Sequence, residues 1–108
     1  MGVDCTIYLM HGVKIDWDDD LNEALNDDPL YAAMNDSMVL DAMGGEYMWF
    51  GNILASGDYA EAVDYVLDPE TFVSKEAEYR AKFKKLLPDF EHLIKDKKFE
   101  YHFFSHYS

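Results

Sequence analysis

VDCTIYLMHGVKI, residues 3–15, decides how the chain is read, because its apolar residues recur at every second position. Val3, Cys5, Ile7, Leu9, His11, Val13 and Ile15 fall on one side. Asp4, Thr6, Tyr8, Met10, Gly12 and Lys14 fall on the other. A period of two with β-branched residues is the pattern of a half-buried strand. Gly12 marks a bulge or bend within it.

Working outward, residues 46–56, EYMWFGNILAS, predict a second strand. Tyr47, Trp49, Ile53 and Ala55 lie on one face, and Met48, Phe50 and Leu54 on the other. Apolar residues on both faces point to a central position in the sheet, and Trp49 belongs to the core. Residues 98–107 alternate again and predict a third strand, at an edge. Between the first two strands, acidic turns introduce short helices. Asp16, Asp18, Asp19 and Asp20 precede Leu21, Ala24 and Leu25, with negative charge at the favourable end. Asp28-Pro29 starts another helix, with Asp28 as cap. Asp36 or Ser37 caps a third, carrying Met38, Val39, Leu40 and Met43 and stopped by Gly44-Gly45. Residues 59–67 fit a short helix or a connector. Asp68-Pro69-Glu70 opens the longest helix, to about Leu87, with Phe72, Tyr79, Phe83 and Leu86 on one stripe. Glu76–Arg80 and Glu78–Lys82 are its i,i+4 pairs. Pro88 ends it, and a short helical piece follows at 89–95. The expectation is one α+β domain over residues 1–108. It has about three mostly antiparallel strands, with short helices and one longer helix on one face.

The chain holds 22 acidic and 9 basic residues, a formal net charge of -13, while 49% of it is apolar. That hydrophobic share separates it from acidic disordered chains. The charge is lopsided: residues 1–70 contain 16 acidic residues against Lys14 alone, and residues 71–108 contain 6 acidic and 8 basic. A small domain needs a net charge of only about 2–8 for solubility. The excess argues against direct binding of nucleic acid or an anionic membrane, both of which call for a basic surface. With no signal peptide, no apolar run long enough to span a bilayer and Cys5 as the single cysteine, a cytoplasmic location is expected.

Catalytic and metal-binding patterns fail on residue type and spacing. Cys5 falls on the inward side of its strand, where a thiol behaves as a small apolar group. His102 and His106 lie about 13 Å apart along an extended strand, too far to share one ion. Asp16-x-Asp18-x-Asp20 begins like a calcium loop but has Leu21 where glycine is required and Asp27 where a bidentate glutamate is required. No phosphate-binding glycine loop occurs. The expectation is a non-enzymatic protein without metal or cofactor.

What remains is the acidity itself. Duplex DNA carries one negative charge per roughly 1.7 Å of axis, and carboxylates on rigid turns offer a similar field to a basic groove. The expected partner-binding residues are Asp16, Trp17, Asp18, Asp19, Asp20, Glu23, Asp27 and Asp28, extended by Asp36, Asp41, Asp58, Glu61 and Asp64. In length, acidity and α+β pattern the chain is similar to small acidic accessory proteins of bacteriophages. These include proteins that disarm host nucleases, restriction enzymes or CRISPR complexes by mimicking nucleic acid. Acidic immunity proteins, which neutralise a nuclease toxin, look similar for the same reason. The resemblance implies an inhibitor that blocks a basic nucleic-acid-binding protein in the host cytoplasm, and carries no residue role with it. The alternatives are an immunity protein or a small-molecule or second-messenger binder, with Lys75 to Lys98 as the available phosphate-binding groups.

Overall fold

The alternating segment forms β1 (Cys5–Asp16), which hydrogen-bonds to a neighbour on each side. In a computed structural model that describes residues 5–41, 45–58 and 69–107, the other strands are β2 (Met38–Leu40), β3 (Tyr47–Asp58) and β4 (Glu100–Tyr107). They form one four-stranded antiparallel sheet in the order β2-β3-β1-β4. The helices are α1 (Asp19–Ala24), α2 (Asp28–Met34), α3 (Glu76–Leu86) and α4 (His92–Lys95). The architecture is α+β. Among the described residues no helix is long and apolar enough to cross a membrane.

The fourth strand corrects the expected helix at 36–43. Met38, Val39 and Leu40 pair with Phe50, Trp49 and Met48, so sheet pairing overrides local helix signals in a segment too short to show a period. The long helix is also shorter than expected. Pro69–Phe72 forms a separate 3-10 turn, and α3 begins at Glu76, whose amide donates to Ser74 Oγ at 3.3 Å. Glu76 pairs with Arg80 at 2.8 Å as expected, but Lys82 reaches Asp36 at 2.8 Å. The expected helix or connector at 59–67 lies outside the described residues.

The two faces of the sheet have separate cores. On one, Val13, Ile15, Met48, Phe50 and Phe99 pack against Leu21, Leu25 and Met34 from the first two helices and against Phe83, Leu87 and Ile94 from the last two. Arg80 closes this layer: its guanidinium donates to the carbonyls of Ile94 (2.9 Å) and Lys97 and lies 4.9 Å from the Phe99 ring centre. On the other face, Met10, Val39 and Trp49 are buried beneath Tyr8, Tyr47, Ile53 and Phe104.

The second core exists because the sheet coils. Trp49 stacks on Phe104 with ring centres 3.7 Å apart and planes 9° apart. Their β1 partners, Lys14 and Tyr8, are six positions apart, roughly 20 Å along a straight strand. Only a strongly coiled sheet brings those rings together, so this face is concave. The ladder slips between Leu9 and Met10, whose partners are Ala55 and Ile53, leaving Leu54 as the extra residue of a bulge that bends β3. Gly12, where the sequence suggested a bulge or a bend, keeps the ladder in register. It sits opposite Gly51, where a Cβ on Gly12 would lie 2.1 Å from the Phe50 carbonyl oxygen. The strands approach that closely because both positions lack side chains.

Two predictions follow from these contacts. Gly12→Ala forces a methyl into backbone atoms that have no rotamer to escape to, and is expected to cost at least about 2 kcal/mol in urea unfolding. Trp49, 5% exposed, keeps a buried indole N–H with no acceptor among the described residues. Trp49→Phe removes that orphan donor and retains the stack. It is expected to cost less than about 1.5 kcal/mol, against about 3–5 kcal/mol for Trp49→Ala. Equal losses in the two variants would mean that the indole N–H is satisfied.

Candidate functional site

The acidic stretch occupies the end of β1 and the two helices that follow. Asp18 and Asp27 are spent on folding: Asp18 Oδ1 accepts from the Leu21 amide at 2.8 Å, and Asp27 Oδ2 from the Leu30 amide at 3.1 Å. These caps satisfy the first amides of α1 and α2. The cap of α2 is Asp27, with Asp28 as the first helical residue and Pro29 after it. Buried Leu21, Leu25 and Met34 anchor both helices on the first core. With the backbone fixed in this way, Asp16, Asp19, Asp20, Glu23, Asp27 and Asp28 are all exposed.

Trp17 lies at the base of this surface, half-buried against the core. Its Nε1 donates to Asp19 Oδ1 at 3.0 Å, and its backbone N–H donates to the Glu46 carbonyl at 3.2 Å. The second contact carries exposed Glu46 to the same end of the sheet. Glu46 was absent from the sequence-derived set, because its placement follows from the pairing of Asp16 with Tyr47. The extensions of the patch disperse. Asp36 is engaged by Lys82, whose hydrogen bond holds the carboxyl below its usual range against a smaller opposing effect of burial. The pair therefore contributes stability above the unfolded carboxylate pKa and loses it as pH falls through the folded value. Asp36 is exposed, so the contribution is a few tenths of a kcal/mol. Asp41 is 8% exposed and accepts from the Glu46 amide at 3.3 Å. Asp58 pairs with Thr6, at the far end of the β1–β3 ladder from Asp16. Glu61 and Asp64 lie outside the described residues.

Ion pairs leave the patch untouched. Among the described residues they are Arg80–Glu76, Lys82–Asp36 and Lys84–Glu91. Lys14, the single cation of residues 1–70, lies over the rings of Tyr47 and Trp49 at 4.8 and 5.5 Å. The Tyr47 hydroxyl is pushed above its ordinary pKa by burial first and then by Asp41 and Glu46. Cys5 is half-buried, His11 is packed against Tyr101 with ring centres 4.6 Å apart, and no group of three or more side chains that could hold a metal ion occurs among the described residues. A cleft of about 450 Å³ opens beside the patch, with Leu25, Met34, Val39 and Ile53 in its apolar lining.

No family model, curated protein or solved structure matches this chain. Its function is therefore argued from its own surface.

The capping carboxylates and the uncommitted ones separate by mutation. Asp18→Ala and Asp27→Ala are each expected to lower stability by about 1 kcal/mol. Asp16→Asn and Glu23→Gln, whose carboxylates have no hydrogen-bond or ion-pair partner among the described residues, are expected to stay within roughly 0.5 kcal/mol. Thermal unfolding of the four variants measures the difference.

Proposed function

We propose that the chain is a non-enzymatic protein inhibitor whose acidic surface occupies a basic, nucleic-acid-binding site on a host protein such as a nuclease, restriction enzyme or CRISPR component. The observation that carries this reading is the set of six exposed carboxylates from Asp16 to Asp28, with Glu46 beside them, none ion-paired among the described residues. An ordinary surface interleaves both signs of charge. Here residues 16–28 carry seven carboxylates and no lysine or arginine, while the eight cations other than Lys14 lie between Lys75 and Lys98.

The physics of such an inhibitor is specific. Long-range attraction between the patch and a basic groove raises the association rate and is screened by salt. Once docked, arginines of the partner meet carboxylates in paired, charge-assisted hydrogen bonds. The caps at Asp18 and Asp27 serve this by holding their neighbours rigid before binding, which lowers the ordering cost of association. The site of action is the cytoplasm in which the partner handles nucleic acid.

The test is capture on immobilised protein from bacterial lysate, elution by a salt step, and assay of each eluted protein for DNA binding or cleavage. A partner whose DNA binding is blocked at one-to-one stoichiometry is expected. The triple variant Asp19→Asn, Asp20→Asn, Glu23→Gln is expected to slow its association at least about tenfold at low ionic strength. Binding indifferent to both salt and the triple variant would eliminate electrostatic mimicry.

A further inference from the structure

Hydrogen-bonding capacity that the fold does not use collects in the cleft beside the acidic surface. Its volume, about 450 Å³, falls in the roughly 300–1,000 Å³ range of small-molecule sites. Six polar side chains line it: Tyr8 of β1, Asn22 of α1, Asn26 of the turn after it, Tyr31 of α2, Asn35 just beyond, and His106 of β4. None of them makes a side-chain hydrogen bond to another described residue. Single exposed amides satisfied by water are ordinary. Six unspent groups brought from residues 8 to 106 onto one apolar floor are a constellation of the kind that orients a ligand.

The lining restricts what fits. Each asparagine presents an acceptor and two donors, and each tyrosine hydroxyl can act as either. The ligand must therefore carry donors and acceptors on one edge. A purely apolar ligand would strip water from these groups without replacing their hydrogen bonds, at about 1–3 kcal/mol for each one left unpaired. No lysine or arginine lines the cleft, while Glu23, Asp27 and Asp28 adjoin its asparagines in the chain. A phosphate is repelled. Tyr31, 47% exposed, stands in the lining as an uncovered ring, and Tyr8 stacks on Phe104 with centres 5.4 Å apart. Planar amides read the edge of a nucleobase in paired hydrogen bonds, and aromatic rings stack on its face. We propose that this cleft binds a nucleoside through its base and rejects the corresponding nucleotide. The proposal is independent of the role assigned to the acidic surface.

The full chain, labelled with nitrogen-15, is titrated with adenosine, inosine, cytidine and uridine, with their 5′-monophosphates and with ribose, each to roughly 5 mM, a range that captures weak sites. At least one nucleoside is expected to shift the side-chain amide resonances of Asn22, Asn26 and Asn35. Its monophosphate is expected to bind at least about tenfold more weakly. Asn26→Ala and Asn35→Ala, at exposed positions, are expected to weaken the nucleoside by about fivefold or more each while leaving the rest of the spectrum in place. The proposal is overturned if no nucleoside shifts these resonances, if the monophosphate or ribose binds equally well, or if neither alanine variant changes the affinity.

Discussion

The close approach of Gly12 and Gly51 is the constraint on which the rest of the structure depends. Side chains at these paired positions would strike the opposite backbone, so their absence is what lets β1 and β3 coil tightly. The coil makes one face concave and draws Phe104 onto Trp49. That contact is worth about 0.5–1.5 kcal/mol beyond the area it buries, in a core cluster built from strand residues alone. The other face remains accessible to four helices. A flat sheet of the same sequence would leave Met10, Val39 and Trp49 in water.

The same geometry decides which charges stand together. Because β1 runs antiparallel to β3, its C-terminal end meets the N-terminal end of β3, and Glu46 joins the carboxylates that follow Asp16. Asp58, at the other end of β3, is removed from them. The helices then multiply the effect. Each needs an acceptor at its start, so α1 and α2 bring Asp18 and Asp27 as caps and tolerate acidic first turns, where the helix dipole favours anions. Acidity at helix starts is therefore partly a consequence of building two short helices in succession.

How much of this was legible in the sequence depends on how locally each feature is encoded. β1 could be read because alternation over a dozen residues has one interpretation, and β3 because a run apolar on both faces reads as a strand covered on both sides. β2 could not: three residues carry no period, and Asp36-Ser37 imitates a helix cap. The start of α3 was misplaced because Asp68-Pro69 carries the same starting chemistry as Asp28-Pro29, while the hydroxyl of Ser74 makes the contact. The patch from Asp16 to Asp28 was legible since it is continuous in the chain. Asp36, Asp41 and Glu46 were not placed, because the Lys82 contact, the Glu46 amide bond to Asp41 and the Trp17 N–H bond to the Glu46 carbonyl are products of tertiary packing. The six polar residues of the cleft, spread over most of the chain, left no local signal.

A distinction among the carboxylates sharpens the functional argument. Asp18 and Asp27 are accounted for by capping, Asp19 by its bond to Trp17, and Asp20 and Asp28 by their favourable place in first turns. A chain with no partner at all would have reason to keep these five. Asp16, Glu23 and Glu46 are different, since among the described residues no hydrogen bond or ion pair of their carboxylates holds the fold together. Like charges at these positions oppose folding by mutual repulsion, and neutral amides of similar shape would serve the structure as well. The case for a binding surface therefore rests on the carboxylates that the fold does not use, more than on the total of acidic residues.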